Sequence, residues 1–433
     1  MAVYLICYGI SFILAWQHLY VLSGLVLVGA AVWLYIRDYI RTGNLIHLRG
    51  LFCLFFVGGQ GISCFKLSYL QTDWLLITWI SFFLAVMAFW WVFEVLTRLY
   101  DGWSAADMGS VYKYYSSADS PLQANRILIS MAVITLVSIL AFAFEAWRLV
   151  PMFSYGVPHA YSYFHIKGIH YFTVSCVLVP SLSVVYCLMM ARRGRGLVRY
   201  KGFWLAVICD IVAVMIPLLC VSRFQLILAV GMAVFTYISM TGSFSLVYVG
   251  VLFVALIPAY VALTVLRSHS VEYLNGIFEM KNSHMPIFIT QPYMYIANNY
   301  DNFNCMAAEL KHFSFGLKGL FPLWALTGLK FIFPSLADFP LFVTKEELTT
   351  VTLFYDAFYD FGVVGMVFFG GLLGGVCYLL GRFRRKLTCP AGHVIYAQIA
   401  MYMMLSFFTT WFSNPTTWFY LIVSGIVYVY VNS

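Results

Sequence analysis

Charge is scarce in this chain. Only 10% of its 433 residues are Asp, Glu, Lys or Arg, against about 25% in soluble globular domains. With 63% hydrophobic and 19% aromatic residues, the chain cannot cover itself with a polar surface. That argues against a soluble enzyme, a disordered chain or a nucleic-acid binder. The formal net charge of +8 is no basic binding surface, because the basic residues fall in short clusters between apolar runs. Metal-ligand spacing is also missing. The ten cysteines form no CxxC pair and no Cys/His cluster of zinc spacing. Only Cys305 lies in an extended segment, so no disulfide framework, metal or cofactor is expected.

What the chain has in abundance is apolar sequence of helix length. A membrane-spanning helix needs about 20 mostly apolar residues. Twelve candidate runs lie near 2–16, 19–36, 50–68, 75–97, 127–147, 171–191, 203–221, 224–240, 244–266, 363–381, 391–411 and 416–431. They are continuous rather than alternating, which points to helices and not to a β-barrel. The first run lacks a basic flank and a small-residue cleavage site, so it reads as a retained helix rather than a signal peptide. The expected fold is all-α: one polytopic integral membrane domain over 1–433 with about 12 transmembrane helices. Lysine and arginine orient it. Arg37, Arg41 and Arg49, then Arg98, Lys113 and Arg126, fall in two connections on one side. Arg192, Arg193, Arg195, Arg199 and Lys201, then Arg382, Arg384, Arg385 and Lys386, fall in two more. That side should be the cytoplasm, with both termini on it.

Two segments on the opposite side are long. Residues 148–170 hold His159, His165 and His170. Residues 267–362 form a large extracytoplasmic loop with nine of the 17 carboxylates. Within it, 285–304 carries apolar and aromatic residues at helical spacing, so short helices are expected. Residues 312–334 are apolar, broken by Gly and Pro and edged by Lys318 and Lys330. They read as an interfacial or re-entrant element that roofs a cavity.

Candidate chemistry concentrates there. Arg223, in VSRFQ, sits between two apolar runs, and its guanidinium suits phosphate oxygens; the competing reading is snorkelling to lipid headgroups. Arg267 lies at the same level, where interface anchoring competes. Asp356 and Asp360 are four apart and share a helix face, with Tyr355 and Tyr359 beside them; the alternative is a helix-start cap. Asn298, Asp301 and Asn302, with Tyr293, resemble a sugar-binding lining or else an ordinary polar turn. His269, Glu272, His284 and His312 are possible general bases, each competing with a bystander role. Lys66 and Asp210 are ionisable residues within apolar runs, but their depths make direct pairing doubtful. GGLLGG (370–375) is a small-residue stripe for close helix packing.

The order of these features resembles the Wzy-type oligosaccharide repeat-unit polymerases of bacterial surface polysaccharide synthesis (O-antigen and capsule). The likeness lies in SRFQLIL (222–228), Arg267, PYMYIANNYDNFN (292–304) and DAFYDFGVVGMVFFGGLLG (356–374), within roughly 215–380. The resemblance implies a GT-C-like membrane glycosyltransferase in the bacterial cytoplasmic membrane, its active site facing outside. It would join repeat units carried on undecaprenyl pyrophosphate, inverting and without a metal. Arg223 and Arg267 would bind the pyrophosphate. Asp356, Asp360, Glu272 or His269 would be the catalytic base, while Tyr293, Asn298, Asp301, Asn302, Tyr355 and Tyr359 would hold sugar. Membrane lipids, a flippase and a chain-length regulator are the implied partners, and nucleic acid is not one. The alternatives are a lipid-linked oligosaccharide flippase and an O-antigen ligase; for the latter, Arg267 with His269 is the best match.

Overall fold

The computed structural model describes residues 1–101, 120–147, 149–154, 164–193, 196–243, 271–282 and 284–433. It is helical. Among the described residues the only strand-like pairing is an isolated bridge between Ser68 and Met280. In chain order the helices are α1 (Ala2–Trp16), α2 (Tyr20–Thr42), α3 (Leu48–Ser63), α4 (Leu76–Asp101) and α5 (Pro121–Ala146). Then come α6 (His170–Ala191), α7 (Lys201–Leu219), α8 (Arg223–Thr241), α9 (Val271–Phe278) and α10 (Ile287–Glu309). The last are α11 (Phe321–Leu326), α12 (Leu329–Ile332), α13 (Tyr355–Arg385), α14 (Gly392–Met404) and α15 (Pro415–Asn432).

Seven of the described helices, α2, α4, α5, α6, α7, α8 and α13, are long and apolar enough to cross a membrane. The protein is therefore an all-helical membrane protein. Seven differs from the twelve runs read in the sequence, for physical reasons. Helix α1 has 15 residues and α14 has 13. At about 1.5 Å per residue both fall short of a hydrocarbon core of about 30 Å. Helix α3 passes through a π-type turn at Cys53–Val57 and stops at Ser63. Helix α15 has 18 residues but is less apolar than the seven, and the run 244–266 lies outside the described residues.

The chain forms two compact units. Unit 1 comprises Met1–Gly109, Val271–Phe383 and Tyr402–Trp418; unit 2 comprises Ser110–Ser270, Arg384–Met401 and Phe419–Ser433. In unit 1, α1 and α2 form a hairpin held by reciprocal hydroxyl-to-carbonyl bonds between Ser11 and Ser23, at 3.0 and 2.9 Å. Helix α13 lies against α4 along the GGLLGG stripe. A Cβ at Gly370 would sit 2.5 Å from the Ala85 carbonyl oxygen, and one at Gly374 2.3 Å from that of Phe89. Only glycine permits that approach. Helix α10, at 23 residues, is longer than the short helices expected in its segment. Its polar face is buried.

One orientation residue is not a solvated signal at all. Arg49 is 5% exposed and donates to Asp38 at 2.6 and 2.8 Å and to Glu94 at 3.2 Å. Its guanidinium lies 4.4 Å from the Trp90 ring centroid. A buried, bidentate arginine of this kind holds helices together and says little about topology.

Unit 2 packs α5, α6, α7 and α8 around Ile127, Met131, Leu182, Met189 and Ala213. Two buried carboxylates there find donors, as a low-dielectric interior favours. Glu145 accepts from Thr173 Oγ1 at 2.6 Å and the Ile166 N–H at 2.9 Å, and it meets His170 Nδ1 at 3.1 Å. Asp210 accepts from Ser183 Oγ at 2.5 Å.

Candidate functional site

One buried polar cluster of unit 1 surrounds the start of α13. This helix is really two pieces, because Phe361 (φ −141°, ψ 18°) and Gly362 (φ 59°, ψ −141°) break it. The break sets Tyr355–Asp360 off as a separate helical turn. All four sequence-predicted residues of that turn are buried, Tyr355 at 0%, Asp356 at 6%, Tyr359 at 4% and Asp360 at 4% exposure.

The two carboxylates do different work. Asp360 holds a turn: Oδ1 accepts from the Ser314 hydroxyl and, at 3.1 Å, from the Lys318 N–H, and Oδ2 accepts from the Gly319 N–H at 2.7 Å. Its carbonyl also takes the Phe315 N–H at 3.1 Å. This is a capping role. Asp356 instead faces the ammonium of Lys318 at 3.6 Å, with the Thr410 and Ser413 hydroxyls as hydrogen-bond partners. Lys318 Nζ sits 3.9 Å from the Tyr359 ring centroid and 5.0 Å from that of Tyr355, so both aromatic faces help hold the cation. Burial lowers the Lys318 pKa below the usual lysine value, while Asp356 pulls it back up. The Tyr355 hydroxyl is used locally, donating to the Phe342 carbonyl and accepting from its N–H, each at 2.9 Å. The cluster thus offers a buried carboxylate and a neighbouring cation between two tyrosine faces.

The NNYDN residues of α10 are placed otherwise. Asp301 accepts from Lys66 Nζ, Gln71 Nε2 and Trp74 Nε1, each at 2.7 Å, and from Ser63 Oγ at 3.1 Å. Asn302 donates to the Leu348 and Thr350 carbonyls at 2.7 and 2.8 Å, and Asn298 accepts from Thr344 Oγ1 at 2.9 Å. The Tyr293 hydroxyl donates to Gln71 at 2.5 Å and accepts from the Leu67 N–H at 3.0 Å. These four residues spend their bonds on the fold. In place of an open sugar-binding lining they form an internal brace.

Arg223 opens α8 in unit 2 and is 9% exposed. The turn before it closes with the Ser222 N–H on the Pro217 carbonyl and the Val221 N–H on that of Leu218, at 2.9 Å each. Val221 takes φ 54° there, a conformation costly for a β-branched residue. A buried cation at a helix N-terminus also opposes the helix dipole. Neither feature is explained by helix stability. Arg267 and His269 lie outside the described residues, as does the side chain of Glu272, whose backbone belongs to α9. His284 and His312 are exposed. Among the described residues no three His, Cys, Asp or Glu side chains converge as metal ligands.

Sequence reasoning missed the part Lys318 plays. Its signal was its place in an apolar segment, where a lone lysine requires a partner. Ser314, Thr410 and Ser413 carried no signal, since contact across 46 or more positions is invisible to spacing. The chain matches no protein-family model, no curated protein and no solved structure.

Proposed function

We propose that this is a membrane glycosyltransferase that polymerises oligosaccharide repeat units carried on undecaprenyl pyrophosphate, as its resemblance to the Wzy-type polymerases implies. The observation that carries the reading is the Lys318–Asp356 pair. This carboxylate faces the lysine at 3.6 Å and accepts from the Thr410 and Ser413 hydroxyls, which leaves one of its about four lone-pair sites for an acceptor hydroxyl. In the proposed step Asp356 takes the proton of that hydroxyl as its oxygen bonds the anomeric carbon. The bond to pyrophosphate breaks in the same displacement, with inversion, and the leaving group keeps the electron pair. Lys318 offsets negative charge near the reacting oxygens. The resemblance also implies Arg223 and Arg267 as pyrophosphate ligands. Asp360 becomes a positioning residue, because it holds the turn that carries Lys318. A GT-C-like arrangement, a bacterial cytoplasmic membrane and an outward-facing site belong to the same proposal.

Reconstitution of the full chain with a cognate lipid-linked repeat unit tests it. The reading expects a ladder of polymer on a gel, abolished by Asp356→Asn and by Lys318→Met while single units persist. Absence of a ladder from wild-type protein with the cognate unit ends the reading. Single units stranded on the inner leaflet of cells lacking the protein would instead favour a flippase.

A further inference from the structure

Unit 1 contains a cleft of about 370 Å³ that the proposed chemistry does not use. Its volume falls in the range of small-ligand sites, about 300–1,000 Å³. One wall is aromatic. Trp79 and Phe12 meet edge to face at 5.6 Å, and Phe12 leads on to Trp16 at 6.1 Å. Trp79 is buried, whereas Trp16 is 74% exposed at the end of α1. The opposite rim is polar. The Tyr20 hydroxyl donates to Asp73 Oδ1 at 2.6 Å and lies 2.7 Å from His18 Nδ1. His18 Nδ1 also lies 3.6 Å from Asp73 Oδ2, and both side chains are largely exposed, at 70% and 60%.

Backbone strain accumulates at this cleft. Helix α1 closes with the Leu19 N–H on the Leu14 carbonyl and the His18 N–H on that of Ala15, at 2.9 Å each. His18 therefore occupies the left-handed closing position usually given to glycine, at φ 60°. Lys66, also in the lining, takes φ 50°. Glycine would be easier at both positions; Lys66 is kept by its bond to Asp301, while the His18 imidazole faces the rim beside Tyr20 and Asp73.

The brace in α10 supports the cleft from behind. Asp301 fixes Trp74 and Lys66. Asn304 Oδ1 accepts from the Leu75 N–H at 2.9 Å and Thr78 Oγ1 at 2.7 Å, which ties down the segment that carries Asp73. The face of Trp74 is already covered by Lys66 Nζ, 4.6 Å from its centroid, so the cleft has no vacant cage there for a second cation. What remains is an aromatic wall, its outermost ring the exposed Trp16, facing a rim of one carboxylate, one imidazole and one phenol.

We infer that this cleft binds a saccharide ring. A pyranose presents weakly positive C–H groups on its face, which suit the electron-rich face of an indole. Its hydroxyls lie at the edge, where Asp73 and His18 can accept and donate. An acyl chain would gain nothing from that charged rim. The inference deepens the proposed function by placing a glycan subsite on the α1–α2 hairpin, and it rests on that reading for its biological substrate.

The test is ligand-observed saturation-transfer NMR on the detergent-solubilised full chain, with methyl glycosides of glucose, galactose, N-acetylglucosamine and rhamnose as probes. Saturable transfer to the ring C–H protons of at least one glycoside is expected. Trp16→Ala and Asp73→Asn, both at exposed positions, should each weaken it about tenfold, roughly the effect of losing one stacking or charged contact. Trp204→Ala, an exposed tryptophan outside the lining, should leave it unchanged. No saturable transfer with any glycoside, or equal binding by Trp16→Ala and Asp73→Asn, overturns the inference. The second result would leave Trp16 as a membrane-interface anchor. Glycoside binding and the polymer ladder are separate readouts. Binding without a ladder removes the polymerase and keeps the cleft, and a ladder with unaltered variant binding does the reverse.

Discussion

In unit 1, Lys66 meets Asp301 at 2.7 Å, and Asp301 takes three further donors from Ser63, Gln71 and Trp74. Lys318 stands 3.6 Å from Asp356, with its ammonium over Tyr359, and Asp356 takes two hydroxyl donors, Thr410 and Ser413. Both carboxylates are buried, but they are satisfied to different degrees. A buried charge that is fully bonded cannot be approached by substrate without breaking those bonds, so Asp301 is suited to holding helices. A buried charge in a looser pair keeps capacity to bind or move a proton. Geometry, not residue type, separates the brace from the candidate catalyst.

The largest expected effect comes from breaking the tight pair. Asp301→Ala leaves the Lys66 ammonium buried without its carboxylate and also strands Gln71 and Trp74. A loss of about 3–5 kcal/mol is expected, seen as a collapse of monodisperse protein in size-exclusion chromatography and a large drop in melting temperature. Lys66→Met should be milder, because three neutral donors still serve Asp301. Equal losses from the two substitutions would show that the pair itself, rather than the carboxylate hub, carries the stability.

Next is the capping carboxylate. Asp360→Ala frees the Ser314 hydroxyl and the N–H groups of Lys318 and Gly319. The turn is only partly buried, so water can serve some of these donors, and about 1–3 kcal/mol is expected. Limited proteolysis should show new cleavage within 314–320. A protease pattern identical to wild type would mean that Asp360 does not hold the turn, and its positioning role would fall with it.

The helices were largely legible in the sequence, because hydropathy reports apolar length directly. The helical spacing read over 285–304 corresponds to α10, and the glycine stripe at 370–375 does pack closely, as its small residues imply. Less legible was the difference between apolar length and membrane-crossing length in α1, α3 and α14, which turns on where a helix stops. The polar sites were legible only as residue types. NNYDN looked like a binding motif because binding motifs and buried braces draw on the same amides and carboxylates. What separates them is the set of partners, and Lys66 lies 235 positions from Asp301. The His18–Tyr20–Asp73 rim was not legible for the same reason, since Tyr20 and Asp73 are 53 positions apart.

The smallest effect concerns the loose pair and is read against pH. Burial lowers the Lys318 pKa below 10.5, with Asp356 opposing. The folded chain therefore holds this proton less tightly than the unfolded chain does. Between the folded value and 10.5 the unfolded state binds more protons, so this group makes stability rise with pH across that window. Its penalty is fully present below the folded value and gone above 10.5. Lys318→Met removes the ionisation altogether. The melting temperature of wild type minus that of Lys318→Met should then shift in favour of wild type as pH rises from about 8 towards 10.5. Other lysines and tyrosines titrate in both proteins and cancel in the difference. A difference that stays flat would mean Asp356 compensates the burial fully, which would make the pair as closed as Lys66–Asp301 and dissolve the contrast between them.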